Sequence, residues 1–146
     1  MRIVLFSIIG FLACEPVDDS FLEETPKEEL AWVETVITQE SRYQLDLSRD
    51  PDPPVLGTFS MGMEIGILNE NPCFSGAALL NAKVRLHARS FGEDQSQVLE
   101  VEAIEQGGGE YEASWSFAQV GYWEVTIEVG AGEDTDSAVI GLVVED

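Results

Sequence analysis

The stretch that decides the fold runs from residue 107 to 129. It reads Gly107-Gly108-Gly109, then Tyr111-Glu112-Ala113-Ser114-Trp115-Ser116-Phe117, then Gly121, then Trp123-Glu124-Val125-Thr126-Ile127-Glu128-Val129. Apolar and polar residues alternate strictly on both sides of Gly121, the period of a strand with one face buried and the other wet. The glycine triplet turns the chain into the first of these strands, and Gly121 turns it into the second. Working outward, the same alternation recurs at Ala82, Val84, Leu86 and Ala88, and again at Leu99, Val101 and Ala103. Phe59, Met61, Met63 and Ile65 give another inward row, with Ser60, Gly62 and Glu64 on the opposite face. Tyr43, Leu45 and Leu47 form the first strand, closed by Asp50-Pro51-Asp52-Pro53-Pro54, and Ala138, Ile140, Leu142 and Val144 form the last. The pattern predicts an all-β, seven-stranded antiparallel β-sandwich over residues 43–146. One wet face per sheet is open to antiparallel but not to parallel sheets. Tyr111, Trp115, Phe117 and Trp123 are the expected centre of its core.

The run Gly109-Glu110-Tyr111-Glu112-Ala113, followed by Phe117 and by Gly121-Tyr122-Trp123-Glu124-Val125, resembles the close of a YtkA-like or FixH-like domain. Those are small Ig-like sandwiches of exported or membrane-anchored bacterial proteins with a G-x-Y-x-A … F … G-x-W-x-V pattern. The likeness covers roughly residues 53 to 145, and Gly76-Ala77 ahead of Val84 fits the family's small-residue turn before a strand. It implies an Ig-like fold and a place outside the cytoplasm. Some relatives are tied to copper handling or respiratory oxidase assembly, and many have no assigned role.

The start of the chain points the same way. Met1-Arg2 is a short positive start, and the apolar run from Ile3 to Ala13 is broken only by Ser7 and Gly10. As a helix this run rises about 16 Å, roughly half the hydrocarbon thickness of a bilayer, so it reads as the core of a signal peptide and not as a span. Phe11-Leu12-Ala13-Cys14 resembles the lipobox of bacterial lipoproteins, with Phe11 in the place usually held by Leu. The resemblance implies a signal peptide over 1–13 and a diacylglyceryl thioether on Cys14, which would anchor the protein without a spanning helix. Glu15 after the cysteine, by the enteric sorting rule, implies the outer membrane. Residues 14–42 are expected to be an acidic tether extended by self-repulsion. Thr25-Pro26 followed by Glu28 and Glu29 offers a helix start, so a short helix from Pro26 to about Ile37 is one reading of this stretch and a strand at Trp32-Val33 and Val36-Ile37 the other. The second cysteine, Cys73, lies in the loop Asn71-Pro72-Cys73-Phe74-Ser75-Gly76. With Cys14 lipidated it is a free thiol, inert if covered by Phe74 and reactive if exposed.

The chain has 146 residues, with 28 Asp and Glu against 7 Lys and Arg, a formal net charge of −21. Nucleic acid is excluded as a partner because its phosphates would be repelled at every approach. With 45% hydrophobic residues the chain can bury a core, so it is not wholly disordered.

Three features could carry chemistry. Met61, Met63 and His87 are soft-ligand candidates for copper. The two methionines fall on the inward row of their strand, however, and His87 falls on the outward row of its own. Lys83, Arg85, His87 and Arg89 alternate along one outer face. They are read either as cross-strand partners of acids such as Glu100 and Glu102, or Glu110 and Glu112, or as a docking strip for an acidic partner. The acidic loops around residues 46–52 and 133–136 could hold calcium by oxygen count, although their spacing matches no EF-hand. No Ser/His/Asp arrangement and no phosphate-binding loop is present in the sequence, so no catalytic residue and no cofactor is expected. The sequence therefore predicts a lipid-anchored envelope protein with a non-catalytic binding or accessory domain and a protein partner. A periplasmic metal handler is the alternative.

Overall fold

The computed structural model describes residues 34–68, 76–91 and 97–146. The stretch expected to be a signal peptide, Cys14, the first part of the expected tether and the Cys73 segment lie outside the described residues.

The described residues are all-β, in two antiparallel sheets. One sheet has five strands: β1 (Glu34–Ile37), β2 (Tyr43–Asp50), β3 (Gly57–Ile67), β7 (Glu110–Phe117) and β6 (Ile104–Gly107), in that spatial order. The other has four, in the order β5 (Val98–Glu102), β4 (Lys83–Ser90), β8 (Gly121–Ala131) and β9 (Asp134–Val144). The inward residues of both sheets make a single core. Phe59, Trp115 and Phe117 from the first sheet meet Trp123 from the second, with Phe117 and Trp123 ring centroids 4.9 Å apart at an edge-to-face angle of 60°. Aromatic pairs prefer this geometry because the positive ring edge meets the negative face. Every inward residue of the decisive stretch is buried, as the alternation predicts.

Among the described residues nine strands stand where seven were expected. The first addition is β1, which pairs with β2 from Glu34↔Leu47 to Ile37↔Gln44. This corrects the tether reading over residues 34–42 and removes the helical reading of Val36-Ile37. Val36 packs on the core while Ile37 faces out, so the segment is extended. The Arg49 guanidinium pairs with Glu34 at the open end of this hairpin. The second addition is β6. The chain leaves the four-stranded sheet at Ala103, whose amide donates to the Val84 carbonyl, and continues as β6 at the far edge of the other sheet. Leu99, Val101 and Ala103 therefore form one inward row that ends at a change of sheet.

The sheets are tied together at one end by Asp136 of β9, which is 5% exposed. Its carboxylate accepts the amides of Glu40 (3.0 Å), Arg42 (3.3 Å) and Ser137 (2.8 Å), and the Gln39 amide donates to the Ser137 carbonyl. Burial pushes the Asp136 carboxyl up, but the Thr38 hydroxyl and these three amides outweigh it and hold the group below the usual carboxylate range. At the other end of β9, the Glu145 amide donates to the Pro54 carbonyl and the Leu56 amide to the Glu145 carbonyl.

Candidate functional site

The outer face of the four-stranded sheet carries the basic row. β4 lies between β5 and β8, so each outward residue of β4 has a neighbour on both sides. Arg85 faces Glu102 on β5 and Glu128 on β8; His87 faces Glu100 and Thr126; Arg89 faces Val98 and Glu124. Arg85 reaches Glu128 at 3.6 Å and Lys83 reaches Glu102 at 4.0 Å. The basic row is therefore set in an acidic frame, the pairing reading of Lys83, Arg85, His87 and Arg89. The structure selects Glu100 and Glu102 as the β5 neighbours. Glu110 and Glu112, the other acids considered, lie on β7 in the opposite sheet and are not partners of this row. Exposed pairs of this kind contribute about 0.2–1 kcal/mol each and act chiefly on register.

Toward one end of the same face the character changes. Phe91 follows β4, Tyr122 opens β8 and Val143 closes β9, with Tyr122 and Val143 directly paired. The Phe91 and Tyr122 ring centroids are 5.9 Å apart, the Phe91 amide donates to the Tyr122 carbonyl, and the Arg89 guanidinium sits 5.3 Å from the Phe91 ring centre. Tyr122 lies over Gly141, where a Cβ would come within 2.7 Å of the phenol oxygen. Val98 and Val120 are exposed at the same end. Five exposed apolar side chains thus border one end of one sheet, and half or more of each is open to solvent. The sequence held the signal for Tyr122 and Val143, since each sits out of phase with the buried row of its strand. Phe91 follows the end of β4 and has no such phase.

The metal candidates do not converge. Met61 and Met63 are fully buried between the sheets, while His87 points out from β4 on the far side of the four-stranded sheet. Among the described residues, no group of three or more His, Cys, Asp and Glu side chains is placed to hold a metal ion. Three of the carboxylates offered for calcium, Asp46, Asp134 and Asp136, have other engagements. Asp136 takes the turn amides, Asp134 pairs with Arg42 at 2.7 Å, and Asp46 accepts from Thr35 and Gln44.

The outer face of the five-stranded sheet holds a shallow depression of about 330 Å³ centred on Gly62 and bordered by Ser48, Ser60, Glu110 and Glu112. The Ser48 hydroxyl occupies the space where a Gly62 side chain would begin, and Ser60 donates to Glu112 at 2.8 Å. Arg49 and Gln106 also line it, so the surface mixes acids, hydroxyls, an amide and a cation, and among the described residues it holds no nucleophile–base pair.

No family model matches the chain, and no curated protein matches it. Among solved structures, it is similar to the soluble domain of PmoD from Methylocystis sp. ATCC 49242 (Rockwell), at 14% identity and a TM-score of 0.48 over 74% of this chain and 96% of that one.

Proposed function

We propose that this protein is a bacterial envelope lipoprotein, held by a lipid on Cys14 at the outer membrane, whose Ig-like, YtkA-like sandwich is a non-catalytic binding or accessory module. The observation that carries the binding half is the exposed apolar border of Phe91, Val98, Val120, Tyr122 and Val143 at one end of the four-stranded sheet. Scattered exposed apolar residues are ordinary, whereas a group bordering one strand end marks a contact surface. The basic row is a poorer candidate for the partner surface, because Arg85 and Lys83 already have acidic neighbours. The anchoring half is supported by the sequence before residue 15: the short apolar run and the lipobox-like Phe11-Leu12-Ala13-Cys14. Among the described residues no arrangement favours the metal-handling alternative, since Met61 and Met63 lie on one side of a sheet and His87 on the other.

The test has two arms. Cys14→Ser should abolish incorporation of radiolabelled palmitate and release the protein from the membrane fraction; labelling that persists rejects the anchor. A photo-crosslinking residue at Tyr122 should capture a defined partner in cells, and one at Glu64 on the opposite sheet should not. Equal capture at both positions rejects the contact surface.

A further inference from the structure

A β-sheet edge displays unpaired backbone groups, and proteins guard such edges with short strands, charges, prolines or bulges. Among the described residues the two sheets have four edges, and three of them are guarded. β1 and β6 have four residues each, and β6 is broken by a bulge between Glu105 and Gly107. β5 has five residues and carries Glu100 and Glu102. β9 is different: it has eleven residues, and from Ser137 to Val144 it contains no charge, no proline and no bulge.

The direction of its backbone groups follows from the bonds it makes. The Ser137 carbonyl accepts from Gln39, and the Glu145 amide and carbonyl bond to Pro54 and Leu56, all on the side away from β8. Backbone direction alternates along an antiparallel strand, so the N–H and C=O groups of Val139, Gly141 and Val143 point the same way. No described residue bonds to them there. The open stretch is about 14 Å long and closed at both ends by the chain's own bonds. The exposed side chains of Val139 and Val143 flank it, and Tyr122 and Phe91 continue the apolar surface inward.

Building on the binding reading above, we propose that β9 is a strand-addition site: an extended segment of a partner protein pairs with Val139–Val143 as a fifth strand of this sheet. The charge around the edge identifies its chemistry. Glu133 and Asp134 stand at one end of the uncharged stretch and Glu145 and Asp146 at the other, on a chain of formal charge −21. A second copy paired antiparallel about Gly141 would set Asp146 against Asp136, and a parallel copy would set like acids side by side. The complementary occupant is a short strand of alternating β-branched residues with Lys or Arg at its ends. Main-chain bonds then supply affinity, and the charged flanks supply orientation.

The experiment uses the full chain in nonionic detergent and the fluorescent peptide Lys-Lys-Val-Thr-Val-Thr-Val-Lys-Lys, read by anisotropy. Binding should weaken at least tenfold when the lysines are replaced by glutamates, and equally when two consecutive central amides are N-methylated so that neither peptide edge can pair. Val139→Pro and Val143→Pro remove an edge-facing N–H at positions where a sheet tolerates proline. Each should weaken binding at least tenfold, whereas Val143→Thr should bind as the parent does. Should a proline variant fail to fold, the N-methylated peptide still decides the matter. Equal affinity for the methylated and unmodified peptides reduces the effect to charge alone and overturns the proposal. So does a dimer of the chain in sedimentation that Val143→Thr preserves and either proline variant dissolves, because the occupant is then a second copy. Absence of peptide binding together with crosslinking at Tyr122 overturns strand addition while leaving the binding module standing.

Discussion

Replacing Asp136 tests the account of how the two sheets are held. In Asp136→Ala the amides of Glu40, Arg42 and Ser137 lose their acceptor. Hydrogen bonds to a charged group contribute about 1.5–3 kcal/mol each, so three amides would sum to roughly 4–9 kcal/mol if they were independent. Two effects reduce that sum. The Glu40 and Arg42 amides sit in a surface turn where water can replace the lost acceptor, and removing the carboxylate also removes the cost of burying it. The expected loss is about 2–4 kcal/mol, or roughly 8–16 °C in Tm for a domain of this size. Asp136→Asn keeps one acceptor oxygen and should lose about half as much.

The pH dependence has a definite sign. An unfolded aspartate titrates near 3.9, and in the folded protein this carboxyl lies lower. Its contribution is therefore complete above the unfolded value and is lost as the pH falls through the folded one. The Tm gap between wild type and Asp136→Ala should be flat from about pH 7 to 5 and should narrow below about pH 4. Thermal unfolding by circular dichroism across that range is the assay. A loss below about 1 kcal/mol, or a gap as wide at pH 3 as at pH 7, would refute the reasoning.

Three further experiments probe other parts of the structure. The buried Tyr111 hydroxyl donates to the Leu79 carbonyl at 2.8 Å and accepts the Ala82 amide at 3.0 Å, so Tyr111→Phe should cost about 1–3 kcal/mol in denaturant unfolding with an unchanged m value. Arg85→Glu and Glu128→Arg should each lower stability slightly, and the double exchange should recover about 0.2–1 kcal/mol; a double-mutant cycle with zero coupling removes the pairing account. Met61→Leu with Met63→Leu should cost less than about 3 kcal/mol in total, and Cu(I) should leave the Tm of wild type and double variant alike unchanged. A copper-induced rise in the wild type that the double variant lacks would reinstate the metal-handling reading.

The sequence made most of the core legible because alternation is a direct physical consequence of a half-buried strand. Met61, Met63, Trp115 and Trp123 all fall where their phase puts them. The two added strands are short: the sequence leaves β1 open between strand and helix and does not separate β6, each for its own reason. β1 contributes only Val36 to the core from its four residues, too few for a period to show. β6 follows β5 after a single residue, so Leu99, Val101 and Ala103 read as one strand although the chain changes sheets at Ala103. The candidate surface was less legible. Which acids face Arg85 depends on the order of strands in the sheet, and alternation within one strand carries no information about that order. Nor could composition separate Asp136, with its carboxylate bound to turn amides, from Asp134 two residues earlier on the surface.

The hairpin formed by β1 and β2 has a mechanical consequence. Tension that reaches the domain through the backbone at Glu34 arrives at the open end of this hairpin, opposite its turn. A load perpendicular to the strands would part Glu34 from Leu47 and Arg49 first, then open the remaining pairs one at a time, as a zipper does. Under such a load β1 would release first, and the Asp136 clamp on the turn at residues 38–42 is where unzipping would stall before the sandwich itself came under load.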